Sequence, residues 1–373
     1  MKITVKYLFL FIAISTAIIA CRKDPKTASK PDGFNPTYIN TSTIYPSYFP
    51  KVNLPADNAL TVEGVYLGRM LFYDPVLSMD SSISCASCHD QKHAFADPNP
   101  FSTGIFGSKT GRNASPIFNL AYSKVFFWDG RQKSIREQIL EPIQSHVEMG
   151  MTLPILQERL SKIERYKIWF KKAFNASPDI FLMAKAIEQF ELTLVSKNSK
   201  FNQFLQGNNA VFSFNEVEGF NIYNKLFLPP SVGGDCFHCH GQAIAQTNAL
   251  NAGGLANNGL DAVLNDKGLG GITGKSTDLG VFKTPSLLNI ALTGPYMHDG
   301  RFKTLEEVIN HYSDSVHFNS PNIHPSLIHQ DPITKTPVHV KMNATQKAQL
   351  KAFLLTMTDT VFINNPAFKN PFK

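Results

Sequence analysis

Cysteine is scarce in this chain. Its 373 residues hold five, at positions 21, 85, 88, 236 and 239. An exported protein usually spends cysteines on disulfides spread through the fold. Here four of the five fall in two close pairs, and a histidine follows each pair at once. Runs that alternate apolar and polar residues are also scarce, which argues against an all-β fold. No run of Lys and Arg is interleaved with aromatics, so nothing points to a nucleic-acid partner. Without such a patch, the net charge of +7 reads as general solubility. With 43% hydrophobic residues, the length suffices for two ordinary domains with a sizeable core.

The chain has one marked apolar run near its start, YLFLFIAISTAIIA, after the basic MKITVK. It is too short for a comfortable membrane span and reads as a signal peptide over residues 1–20. Ile18-Ile19-Ala20-Cys21 resembles a bacterial lipobox, which implies cleavage before Cys21 and a lipid on its sulfur. An uncleaved anchor with an incidental cysteine is the alternative. Residues 21–50, rich in Pro, Ser, Thr and Asn, read as a tether. The expected location is the periplasmic side of a bacterial membrane, held there only by a lipid anchor at Cys21.

CASCH spans residues 85–89 and CFHCH spans 236–240. CxxCH is the attachment signal of c-type haem. Two thiols add across the two vinyl groups of one porphyrin, and the next residue brings an imidazole to the iron. One copy alone could be a zinc half-site or a redox dithiol. Two copies in an exported chain favour two covalently bound haem c groups. Cys85, Cys88, Cys236 and Cys239 then attach them, and His89 and His240 are the proximal iron ligands.

The repetition extends beyond the motifs. NLAYSKVFFWDGRQKSIRE at 119–137 aligns without gaps to NIALTGPYMHDGRFKTLEE at 289–307. Each copy ends in a capping signature, Ser134-x-x-Glu137 and Thr304-x-x-Glu307, so each leads through a loop into a helix. Apolar spacing marks helices over LGRMLF before the first CxxCH and GFNIYNKLF before the second, and others at about 178–196 and 344–357. The expected fold is mainly α: two cytochrome c-like haem domains related by internal duplication, 51–205 and 206–373, with long irregular loops.

The layout from about 55 to 360 resembles the bacterial di-haem cytochrome c peroxidase family, which includes MauG. CASCH, GRNASP, FFWDGR, PIQSHVEM, AIEQFELTLVS, CFHCH, FKTPSLLN and TGPYMHDGRF carry the resemblance. It implies that Glu148 is the acid and base over the first haem, that Gln138 hydrogen-bonds bound peroxide, and that Trp128 lies between the haems. Each has a plainer reading: an exposed helix-end carboxylate, a solvent-facing glutamine and a core aromatic. The resemblance also implies a calcium ion held by Asn113, Thr293 and Pro295, although Asn113 could be only a turn residue.

Two departures from the family pattern stand out. Typical peroxidases of the family carry a histidine about sixteen residues after the first CxxCH, which blocks the iron until the other haem is reduced. Here position 105 is Ile, and no histidine lies between His93 and His146. The first haem is therefore expected to be open, as in MauG. At the place of the usual methionine ligand of the second haem stands Tyr312, with Met297 and Met342 as competing candidates. His298 then supports the ligand or the haem edge. Three functions follow. The first is reduction of hydrogen peroxide to water with electrons from a small cytochrome c or a cupredoxin. The second is a MauG-like oxidase using stored oxidising equivalents on a protein or small molecule. The third is a di-haem electron carrier.

Overall fold

Helix α1 (Val62–Tyr73) begins at Thr61, whose hydroxyl oxygen accepts the Gly64 N–H. It buries Leu67, Leu71 and Phe72 completely. In the computed structural model, which describes residues 34–228, 233–241 and 254–373, it is the first of thirteen α-helical segments. The expected signal peptide, Cys21 and the start of the tether lie outside the described residues. The others follow in order: α2 (Cys85–Cys88), α3 (Ile135–Gln144), α4 (Leu153–Lys162), α5 (Glu164–Phe174), α6 (Ile180–Thr193), α7 (Lys200–Leu205), α8 (Phe214–Asn224), α9 (Phe237–His240), α10 (Gly270–Thr273), α11 (Leu305–Asn310), α12 (Ala344–Leu355) and α13 (Thr360–Asn364). The only sheet among the described residues pairs β1 (Leu255–Ala256) antiparallel with β2 (Phe282–Lys283). The fold is mainly α, as expected. Residues 36–373 form one compact unit.

Two helix crossings organise this unit. α1 packs on α6 and α8 packs on α12. Each crossing turns on a glycine. A Cβ on Gly68 would stand 1.9 Å from the Ala186 carbonyl oxygen, and one on Gly219 would stand 1.9 Å from that of Gln349. The next contact is also the same, Phe190 Cβ in one crossing and Phe353 Cβ in the other. Only glycine lets the backbones approach so closely.

The gap-free alignment of the two DG corners survives in detail. Asn119 and Asn289 both take φ near +55°, at 54° and 56°. Phe127 pairs with Met297, and Gly130 with Gly300, each at positive φ. The Asn119 N–H donates to the Leu194 carbonyl at 2.8 Å, and the Asn289 N–H to that of Met357 at 3.0 Å. Each asparagine Oδ1 then accepts a backbone N–H two residues further on, from Ser196 at 2.9 Å and Asp359 at 2.8 Å. Each corner is thus stitched to the end of the helix that closes its own half.

Several boundaries differ from the sequence reading. α6 starts at Ile180 under an Asp179 cap, two residues later than a proline start at Pro178 suggests. The Thr304 box at α11 is reciprocal, but at α3 only Ser134 accepts from the Glu137 N–H. Tyr312 lies not on α11 but on a π-helical turn, His311–Ser315, that follows it. α13 was not expected at all; its Phe362 packs on Phe95 and Phe118 of the other half. α7 likewise leans across, with its Phe201 against Phe353.

Candidate functional site

α2 and α9 each carry one CxxCH, and each opens onto a cleft. Cys85, Cys88 and His89 line the first; Cys236, Cys239 and His240 line the second. None of these four cysteines is in a disulfide. Each histidine turns Nδ1 toward a backbone carbonyl, His89 to Phe95 at 2.9 Å and His240 to Pro285 at 3.0 Å. That bond selects the tautomer with Nδ1 protonated and leaves Nε2 as a free lone pair. Burial keeps both rings neutral, that of His240 down to about 4. Two thiols and one neutral imidazole at the wall of each roomy cleft are the donor set that a covalently held haem requires.

Beyond these shared parts the clefts differ. The first contains Gln138 and Glu148. Burial pushes the Glu148 carboxyl above its ordinary range, against the opposing pull of Arg131. The turn that carries Glu148 is clamped by the loop at 104–108. The Ile105 N–H donates to the Glu148 carbonyl at 2.8 Å. A Cβ on Gly104 would lie 2.1 Å from the Val147 carbonyl oxygen, so that approach requires glycine. Ile105 is 3% exposed and lies against Gly150, outside the described wall of the cleft. His89 is the only imidazole among the described residues of that wall.

The second cleft holds Tyr312, Met297, Met342 and His298 together. The Asn258 side-chain amide donates both to the Tyr312 hydroxyl oxygen at 3.2 Å and to the Met297 sulfur at 3.4 Å. Burial pushes the Tyr312 phenol up to about 12. His298 is stacked on Phe282, with ring centroids 4.0 Å apart. Asn113, Thr293 and Pro295 line the same cleft. The Asn113 Nδ2 donates to the carbonyls of Asp97 and Asn99, at 3.3 and 2.8 Å, which turns its amide oxygen the other way.

Trp128, Asn113 and Lys283 line both clefts. The Trp128 indole N–H donates to the Asn113 carbonyl at 2.9 Å, and its own carbonyl accepts the Lys283 N–H at 2.7 Å. The Asp and Arg of each DG corner bond to each other, and each Arg also reaches a second carboxylate. Arg131 reaches Asp129 and Glu141, while Arg301 reaches Asp299 and Asp261. Arg112 joins Asp129 to Asp266 across the halves.

Sequence reasoning missed two residues of this site. Glu191 on α6 lines the first cleft, with a buried Oε2 that has no hydrogen-bond partner among the described residues. Its carboxyl is pushed up to about 8 by burial and by Glu188. Lys283 is the other. Both sit inside phrases already noted, AIEQFELTLVS and FKTPSLLN, but a charged residue at helical or strand spacing looks solvent-facing until the packing is known.

Residues 62–210 match the family described as di-haem cytochrome c peroxidase. A cytochrome c551 peroxidase of Nitrosomonas europaea is 31% identical over 82% of this chain and 81% of its own length. The chain belongs to the di-haem cytochrome c peroxidase family. The methylamine utilization protein MauG of Methylorubrum extorquens is 33% identical over 69% of this chain and 70% of its own. A crystal structure of a MauG-like protein associated with microbial copper homeostasis superposes with a TM-score of 0.75 at 32% identity, covering 88% of this chain and 99% of that one. Membership of a di-haem family accounts for the two equivalent clefts, and haem c for the donor set in each.

Proposed function

We propose that this peroxidase-family chain is an oxidoreductase facing the periplasm that reduces hydrogen peroxide to water, drawing electrons from a small cytochrome c or a cupredoxin. Its two haem domains span 51–205 and 206–373; the twice-built helix crossing and corner support that division. The observation that carries the reading is Glu148, a carboxyl with a raised pKa in the cleft of His89, in a wall with no second described imidazole.

A haem bound in that cleft supplies an iron that can take peroxide and pass on electrons. The protein supplies the proton path. Glu148 accepts a proton from the near oxygen of peroxide and returns it to the far one, which leaves as water. Gln138 donates from its amide to steady the peroxide. Trp128, tied by its indole N–H to Asn113, offers a π-system between the clefts. Two electrons and two protons complete the conversion of one peroxide to two waters.

In the second cleft Tyr312, rather than Met297 or Met342, would hold the iron of a bound haem. The Asn258 amide donates to the Tyr312 oxygen and so opposes the burial that holds the phenol protonated. His298 holds that side of the cleft. Asn113, Thr293 and Pro295 supply oxygens for one calcium ion, a hard cation suited to amide and carbonyl donors. Cys21 carries the lipid. Among the described residues no helix is long and apolar enough to cross a membrane.

A MauG-like oxidase is the second reading, favoured by Tyr312 and by the absence of a histidine at Ile105. Turnover decides between the two. Holoprotein mixed with peroxide and reduced small cytochrome c should oxidise two cytochromes per peroxide, repeatedly. Peroxide consumption with no cytochrome oxidation would reject the peroxidase reading.

A further inference from the structure

Lys283 is 7% exposed, and its side chain lines both clefts. Its backbone is fixed by β2 pairing to Leu255 and by the bond to Trp128. Of the Lys and Arg side chains in the described walls, Arg112 and Arg131 are already engaged with carboxylates. Lys283 has no carboxylate partner among the described residues, and burial alone brings its ammonium down to about 8. A buried charge is normally paired. Its counter-charge therefore has to come from what the two clefts bind.

The chemistry of the cofactor names one. A haem has an apolar edge, where the vinyl groups meet the cysteines, and a polar edge with two propionate carboxylates. Nothing else in the reaction brings a fixed anion to both clefts. We propose that Lys283 is a shared cationic anchor for propionates of both haems, so that one charge is felt at both redox sites. This rests on the reading of both clefts as haem sites. A cation there disfavours the extra positive charge of ferric iron. Losing it should favour the ferric state at both haems.

The test is spectroelectrochemical titration of the holoprotein, with haem content measured in parallel. Wild type should hold two haems per chain; fewer would undo the di-haem reading itself. In Lys283→Met both midpoint potentials should fall by the equivalent of a tenfold shift in each oxidised-to-reduced ratio, about 59 mV for one electron. Lys283→Arg, which keeps the charge, should stay near wild type. Lys283→Gln, polar but uncharged, replaces the methionine variant if that one fails to assemble. A charge-loss variant with two haems and unchanged midpoints, or with only one midpoint moved, overturns the proposal.

Discussion

The two halves share a frame and part at the lining. Gly68 and Gly219 make the same crossing, Asn119 and Asn289 the same corner, and His89 and His240 the same imidazole–carbonyl bond. The walls then specialise. One cleft gains an amide on α3 and a carboxylate on the turn after it. The other gains a phenol, two thioethers and an imidazole around the π-turn after α11. A repeated scaffold can host unlike chemistry because the attachment point is set by α2 and α9, while the reactive groups ride on loops that packing leaves free to diverge.

The largest expected difference between the halves lies at Glu148. Glu148→Gln should cost about 10²–10⁴ in kcat/KM for peroxide, the usual worth of a positioned acid–base group. Tyr312→Phe should leave that first step near wild type while changing the optical spectrum of the second haem; an unchanged spectrum would remove Tyr312 as a ligand. The pH profile sharpens the contrast. Glu148 must be ionised to take the proton, and burial raises its pKa. The acid limb of kcat/KM should therefore lie above the ordinary glutamate range and disappear in Glu148→Gln.

The shared frame makes the opposite prediction, of equal effects. Gly68→Ala and Gly219→Ala each drive a Cβ into a carbonyl oxygen. Each should destabilise by about 1–3 kcal/mol, read from thermal or denaturant unfolding. A cost in one half alone would break the equivalence of the two crossings.

The last contrast, seen only as a pH dependence, concerns Glu191. Its folded pKa, about 8, lies above the ordinary glutamate value of 4.5. Between those values the unfolded chain has lost a proton that the folded one keeps, so stability falls as pH rises and levels off above about 8. Glu191→Gln should flatten that fall and be more stable than wild type at pH 8; parallel curves for the two proteins would refute it.

Much of this was legible in the sequence because it is local. CxxCH needs only contiguous residues, and the corner repeats without a gap, so both could be aligned by eye. The correspondence of α6 with α12 was not seen. FELTL at 190–194 and FLLTM at 353–357 were there to find it, but the intervening loops differ in length between the halves. The π-turn at Tyr312 and the reach of α13 into the first half depend on tertiary packing rather than periodicity. Lys283 and Glu191 were missed for a related reason, since burial of a charge is decided by neighbours distant in sequence.

The measurement that bears most directly on the account is stopped-flow spectroscopy of the fully oxidised holoprotein mixed with hydrogen peroxide, with reduced small cytochrome c added next. With Ile105 packed away from the first cleft, the oxidised protein should react with peroxide at once, and the product should decay as the cytochrome is oxidised. No reaction until one haem has been reduced would mean that another residue closes the first cleft, and would contradict an open peroxidatic site.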